Sequence, residues 1–466
     1  MASFQGKGAG VTQELNRRHF LRMVQAGAVG AGVLGIAACG ADNGSPGGGS
    51  SSGGSGGNGG GGGGGGRVRA TWWGGDVRHA KFNEIYDLYE AANDGVTIER
   101  EFADWASYWE RLPTQFAGGN APDIIHVTER QVSDYASRDQ LADLEALAGE
   151  GLIDLSYFSD LSIDAGRYDG KLVMLLIGAT IPATMYNLAM FEAAGIEPPS
   201  VGWDWDGFVE RCEAFRAALP DGQWGSTYQA VSTPTFDTFL IQNGKSLFAP
   251  DASPELNFDA SDAEEWFSRW KELQDADLCQ SAESASEQQS APFEDTSFAK
   301  SEAAMHVQNS NQLVTFQTAI GEENQLHLAP FPQMGAQPAS LVIGSYVSIN
   351  EGSQVKEEAA KIVDFFVNDP EANKIFGLEL GTPGNSNWAE AVEADLAEVD
   401  RRVLDFANEV ESQSVFATPR PAGSARGETL MVELGLAVGF GQLTPAEAGA
   451  RLVDDLSAAI TEASAG

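Results

Sequence analysis

Three short stretches of the chain set indole rings beside planar polar groups: Trp73-Gly74-Gly75-Asp76, then Asp104-Trp105 with Tyr108 and Trp109 close behind, then Thr128-Glu129-Arg130. A flat indole face packs on the apolar C–H side of a pyranose, while carboxylates and guanidinium groups form paired hydrogen bonds with neighbouring hydroxyls. The mixture therefore suits carbohydrate binding. Plainer roles compete at each position. Trp72 and Trp109 read as core, Asp76 also suits a cap on the helix that follows, and Glu129 and Arg130 also suit a surface ion pair. Trp73, Asp76, Trp105, Tyr108, Glu129 and Arg130 are the candidate ligand contacts of this part of the chain.

These residues sit where alternating elements should deliver them. Val68 to Trp73 is a short apolar run, Arg78 to Asn93 has helical spacing through Phe82, Ile85, Tyr86 and Tyr89, and Val96 to Phe102 alternates. Tyr108 to Phe116 is helical again, and Asp123 to Val127 follows the Ala121-Pro122 breaker as a third strand. Strand–helix alternation implies right-handed crossovers and a largely parallel sheet, whose ligands bind beyond the carboxyl ends of the strands. All three stretches lie at such ends.

Ahead of this body the chain carries an export signal. Asn16-Arg17-Arg18-His19-Phe20-Leu21-Arg22 matches the S/T-R-R-x-F-L-K pattern of the twin-arginine route, with Asn at its first position. Met23 to Ala38 is weakly apolar and, at roughly 16 residues, falls short of the ~20 that span a bilayer. It closes in Ile36-Ala37-Ala38-Cys39, similar to the lipobox in which the cysteine is acylated and becomes the new N-terminus. Residues 40 to 66 are nearly all Gly, Ser and Asn, a composition that buries no core. Random-coil scaling gives such a tether a span of roughly 30 Å. The expected product is exported, lipid-anchored through Cys39 to the outer face of the cell membrane, and free to turn on its leash.

Charge narrows the partners. Residues 1 to 66 contain four cations and two anions, so the formal −39 of the whole chain becomes −41 for the remainder. So acidic a surface repels phosphate backbones and anionic head groups, which excludes nucleic acid as an expected partner and leaves the anchor to hold the membrane. After Cys39 only Cys212 and Cys279 remain, without a CxxC pair, and the five histidines show no metal spacing. No metal and no cofactor are expected. Whether the two thiols pair is left open.

Motifs for other chemistry fail on context. Gly30-Ala31-Gly32-Val33-Leu34-Gly35 fits G-x-G-x-x-G inside the signal segment, with no strand before it. Gly244-Lys245-Ser246 ends like a phosphate loop, but Phe239 stands where the leading glycine is required. No H-E-x-x-H occurs. A glycosidase needs two carboxylates about 5–10 Å apart, which 67 acidic residues leave open. A secreted carbohydrate-active enzyme is thus the alternative to a binding protein. An adhesin would predict repeats, and none appears.

Trp73 to His79, Asp104 to Trp109 and the run Gln115 to Asp123 together resemble the opening of extracellular solute-binding proteins of family 1, the sugar-binding lipoproteins of ABC importers. Gly170-Lys171-Leu172, Met185-Tyr186-Asn187 and Phe191 to Pro199 are similar to the family's first passage between lobes. Ala303-Ala304-Met305 with Asn309-Ser310-Asn311 resembles its C-lobe binding loop, and Ala359 to Phe366 with Asp369-Pro370-Glu371-Ala372 its late helix pair. The resemblance implies an α/β fold of type II, a two-lobe periplasmic-binding-protein-like clamp whose lobes join by three hinge crossovers. Lobe one would hold residues 67–180 and 331–378, and lobe two 181–330 and 379–466. The crossovers would lie near Ile177 to Ala183, Leu326 to Pro332 and Glu379 to Pro383.

The resemblance also adds Asn309, Asn311, Tyr346 and Trp388 to the candidate contacts. Asn309 and Asn311 would follow a strand, Tyr346 would sit in a glycine-rich contact loop, and Trp388 just past the third crossover, where packing is its plainer role. Trp224, Tyr228, Phe236 and Phe239 read as core. Trp266 and Trp270 read as the buried face of a helix behind a Ser261–Glu264 capping box, and Thr444-Pro445-Ala446-Glu447 as a second box. The expected partners are a neutral saccharide, with a sugar acid second because Arg130 suits a carboxylate, and the transmembrane permease of an importer. The expected state is a monomer that leaves its ligand unaltered.

Overall fold

The computed structural model describes residues 66–464 except 250–252, 290 and 322. The export signal, Cys39 and all but the last residue of the tether lie outside the described residues.

Strand β1 (Arg67–Trp73) lies between β2 (Thr97–Ala103) and β3 (Ile124–Thr128), parallel to both. Helices α1 (Asp76–Ala92) and α2 (Trp105–Ala117) make the crossovers. Because strand side chains alternate between faces, Trp72 and Trp73 part company. Trp72 packs with Phe82 and Tyr86 of α1, and Trp73 with Tyr108 and Leu112 of α2. The carboxyl ends of these three strands share one edge of the sheet, so the candidate stretches after Trp73, Ala103 and Thr128 are neighbours.

The chain then runs through β4 (Leu175–Thr180) and, one residue later, β5 (Pro182–Asn187), which belongs to a second sheet. Helix α3 (Trp205–Ala218), β6 (Trp224–Ser226), α4 (Thr233–Gln242), α5 (Ala260–Asp275), β7 (Ala303–Asn309) and β8 (Leu326–Pro330) complete that lobe, with strand order β8-β5-β7-β6. The long β9 (Ser340–Ile349) returns to the first sheet, antiparallel to both β3 and β4. Helices α6 (Lys356–Asn368) and α7 (Pro370–Phe376) follow it. The first sheet is therefore mixed, parallel through β2, β1 and β3 and again where β9 meets the C-terminal segment 414–416, and the second is mostly antiparallel. The expectation of a largely parallel sheet holds among the three N-terminal strands but fails where β9, entering from the other lobe, runs against β3 and β4.

The first passage between sheets is Ile181 alone, and the third runs beside it. Ala179 and Thr382 exchange backbone hydrogen bonds of 2.7 and 2.8 Å. This approach requires glycine at 381, where φ is +95° and an added Cβ would lie 2.0 Å from the Ala179 carbonyl oxygen. The C-terminal segment crosses once more. Strand β10 (Ser414–Phe416) pairs with Ser340–Val342 of β9, and then α8 (Arg426–Gly439) and α9 (Pro445–Ser464) pack on the core of the second lobe with Trp266 and Trp270.

Both tryptophans of α5 are fully buried, as are Tyr228, Phe236 and Phe239 nearly so, while Trp224 is half-buried. The capping box of α5 is Asp259–Asp262 rather than Ser261–Glu264, since the helix starts at Ala260 and Asp259 reaches both Ser261 N and Asp262 N. At α9 the Thr444 and Glu447 box forms, with Thr444 N donating to Glu447 Oε2 at 2.9 Å and Glu447 N to Thr444 Oγ1 at 3.2 Å. Cys212 and Cys279 are both buried and free.

Candidate functional site

The indoles form one cluster at the end of β1. Trp73, 6% exposed, meets Trp105 edge-on at 5.2 Å and Tyr108 at 5.4 Å, with Trp109 at 5.5 Å. Trp105 is the member that reaches solvent, 42% exposed at the first position of α2. Its place is fixed by Asp104, whose carboxylate caps α2 by accepting from Ser107 N at 3.1 Å. Tyr108 is fully buried and donates to the His126 carbonyl oxygen at 2.6 Å. As a candidate contact it is corrected to a support: its hydroxyl is spent on the β3 backbone and its ring holds Trp73.

Asp76 opens α1, exposed in the first turn where helix N-termini favour anions; the N-cap itself is Gly75. Beside it lies a cleft of about 1130 Å³ lined from one lobe by Gly75, Val77, Arg78 and Lys81 and from the other by Asn311, Gln312, Val314, Thr315, Thr318 and Ala319. Its floor is the third passage. Glu379 there accepts from Arg78 Nε at 3.1 Å and faces Lys81 Nζ at 3.6 Å, while Asn311 Nδ2 donates to the Glu379 carbonyl at 3.4 Å. Burial lowers the pKa of the Arg78 guanidinium, against the pull of Glu379. Asn309 ends β7, half-buried, and Asn311 accepts from Thr180 Oγ1 at 3.2 Å beside the first passage. Arg78, Lys81 and Glu379 were not foreseen; the signal for Arg78 was its place two residues after Asp76 in the first turn of the same helix.

The third group gathers around Glu129. This residue follows β3, is fully buried, and neither carboxylate oxygen has a hydrogen-bond partner among the described residues. Arg130 Nε stands 3.5 Å from Glu129 Oε1, an ion-pair distance too long for a hydrogen bond, and Arg130 NH1 lies 3.4 Å from Glu428 Oε1 of α8. Arg420 comes from the segment before α8: its backbone N donates to the Glu129 carbonyl at 2.8 Å and its NH1 to Glu428 at 3.0 Å, leaving NH2 buried without a hydrogen-bond partner among the described residues. Asp237 of α4 joins them and accepts from Leu247 N at 3.1 Å.

The charges shift one another. Burial raises the pKa of Glu129 despite Arg130 and Arg420, and raises Asp237 to about 6 despite Arg420. At Glu428 burial is overcome by Arg130 and Arg420, so its pKa falls. Burial also works against Arg130, yet Glu428 and Glu129 hold its pKa above the ordinary value.

Tyr346 also belongs to this group, but it lies within β9 and not in a loop. It pairs with Val127 across the strands, is fully buried, and its hydroxyl has no partner among the described residues. The ring folds back over Gly344, where an added Cβ would sit 2.2 Å from it, so the glycine is what makes room. Trp388 is apart from all three groups. It is 2% exposed among Met185, Leu313, Phe316 and Leu378, so its role is the packing one.

Sequence reasoning passed over Asp237, Arg420 and Glu428, although Pro419-Arg420-Pro421 is a rigid cationic turn in an acidic chain. No group of His, Cys, Asp and Glu among the described residues could hold a metal ion, and no helix there is long and apolar enough to cross a membrane.

Comparison with known proteins agrees with this architecture. The profile of the family described as bacterial extracellular solute-binding protein matches residues 84–397. A provisionally named binding protein of Brucella abortus (strain 2308) is 28% identical over 123 residues, 26% of this chain and 29% of that protein. The match thus spans under a third of that relative's length. Among solved structures, an ABC substrate-binding protein of Listeria monocytogenes in complex with cycloalternan superposes with a TM-score of 0.73 at 22% identity, covering 85% of this chain and 99% of that one. An oligogalacturonide-binding protein of Yersinia enterocolitica in complex with saturated digalacturonic acid gives 0.74 at 18% identity, with the same coverage. Two lobes, an α/β fold in each and a profile match over most of the body lead to one conclusion: the chain belongs to the bacterial extracellular solute-binding proteins.

Proposed function

We propose that this protein captures a saccharide between its lobes and hands it unaltered to the transmembrane permease of an ABC importer. The observation that carries the reading is Glu129, a fully buried carboxylate with no hydrogen-bond donor on either oxygen among the described residues, at the carboxyl end of a central strand. A buried polar group left so is costly. Ligand hydroxyls would supply the missing donors as the lobes close. Trp105 would give the apolar face of the same sugar a surface, Asn311, which lines the cleft, would meet a longer ligand, and Asp76 and Asn309 would join it there. Trp73, Arg130 and Tyr346 would line or brace the contact. Glycan-binding neighbours of the same fold support this choice of ligand class.

Closure follows if the ligand contacts both lobes, since only differential affinity for the closed state shifts the balance toward it. The working form is a monomer, exported by the twin-arginine route and held to the outer membrane face through acylated Cys39 and its tether. A thermal-shift panel of neutral and acidic saccharides tests the reading. A true ligand at a hundredfold excess over its Kd adds about 2.7 kcal/mol; a panel without any shift would overturn it.

A further inference from the structure

The seam between the lobes carries more carboxylate than cation. Around Glu129 stand Asp237 and Glu428 against Arg130 and Arg420, so that three acids face two guanidinium groups. Neither guanidinium is free. Arg130 is shared between Glu129 and Glu428, and Arg420 spends its backbone N on Glu129 and its NH1 on Glu428. A ligand carboxylate is best held by two parallel N–H donors from one guanidinium, and each guanidinium here already stands beside a carboxylate of the cluster.

The neighbouring cleft has the same sign. Four carboxylates, Glu379 and Asp400 among them, line it against Arg78, Lys81 and Lys374, and Glu379 already occupies the first two of these cations. The chain as a whole carries a formal charge of −39. A ligand anion meets the excess carboxylate of both places, whereas a hydroxyl that donates meets Glu129, whose oxygens accept from no donor among the described residues.

Resting on the proposed capture of a saccharide, we infer that Asp237, Arg420 and Glu428 are specificity-determining residues which admit ligands presenting hydroxyl donors to Glu129 and reject saccharides that carry a carboxylate. Glu428 and Asp237 act through charge. Arg420 orients Glu428 and offers one donor to a ligand oxygen.

The test compares matched pairs, galactobiose with digalacturonate and cellobiose with its glucuronate-bearing counterpart, by calorimetry at pH 7.5 on the full body and on D237N and E428Q. The wild type should bind a neutral member and not its acidic partner. Each variant removes one negative charge and balances the cluster, so the neutral-to-acidic affinity ratio should fall about tenfold or more. Using a ratio within each variant separates this effect from any general loss of closure or stability, and either variant suffices should the other fail to fold. Tighter binding of an acidic member by the wild type, or a ratio unmoved in both variants, would overturn the inference while leaving saccharide capture intact. Failure of all four sugars, together with a silent wider panel, would instead remove the capture reading on which it rests.

Discussion

Arg130, two residues beyond β3, and Glu428, in the first turn of α8, face each other at 3.4 Å although they belong to different lobes and lie almost 300 positions apart in the chain. Arg420 bonds to Glu428 from the same side and to the Glu129 backbone. The ion pair and this backbone bond tie the lobes at the edge where the strands end. Arg130→Ala should therefore widen the ligand-free body, and small-angle scattering should report a larger radius of gyration than for the wild type. An unchanged scattering curve would show that the pair does not hold the lobes together.

Trp105 is the exposed face of the indole cluster, and Trp73 behind it is supported by three other rings. Trp105→Ala removes a stacking surface without opening the core, so affinity for a bound saccharide should drop roughly two- to thirteenfold, the equivalent of about 0.5–1.5 kcal/mol of aromatic contact. The unfolding midpoint should barely move. Calorimetry beside thermal unfolding checks both, and unaltered affinity removes Trp105 from the contact.

Asp237 gives the cluster a pH dependence of definite sign. Its ordinary pKa of 3.8 rises to about 6 through burial, partly opposed by Arg420 and the Leu247 N–H, with Glu129 and Glu428 adding to the rise. The folded state thus holds a proton that the unfolded chain releases. The stability this contributes is full below pH 4 and is lost as the pH climbs through 6. Glu428 has the opposite sign, being lowered by Arg130 and Arg420, so the wild type alone mixes the two. The difference in melting temperature between Asp237→Asn and wild type isolates the first: the variant should gain on the wild type between pH 4 and 7. A difference flat across that window would contradict the assignment.

Gly381 permits the third passage to lie against the first. With φ at +95° and a Cβ only 2.0 Å from the Ala179 oxygen, Gly381→Ala meets both backbone strain and a collision. Strain of this kind costs about 1–3 kcal/mol, and the melting temperature should fall by several degrees or more. An unshifted midpoint would mean that the two passages separate without cost.

What the sequence made legible was local. The runs at β1, β2 and β3 and the helical spacing of α1 and α2 depend on side-chain period, and the Thr444–Glu447 box on residues three apart, so each is visible in a few consecutive letters. The indole cluster and Glu129 followed from strand ends. The Arg420–Glu428 wall was not legible, because it depends on how the C-terminal segment crosses through β10, a three-residue strand with no periodic signal. The likeness of Gly344-Ser345-Tyr346 to a glycine-rich contact loop points to a loop, whereas the glycine makes space for the tyrosine ring within a strand. Trp388 shows the same limit: an indole near a crossover looks like a contact until the cluster around Met185 and Phe316 is seen.

The central claim is that the lobes close on a saccharide and leave its bonds whole. The most direct measurement is equilibrium dialysis of the body against a saccharide that shifts its melting temperature, followed by release in denaturant and mass spectrometry of what was held. Recovery of one intact molecule per chain, with no smaller products after prolonged incubation, is the predicted result. Cleavage products accumulating in proportion to protein would contradict the account and make the protein an enzyme.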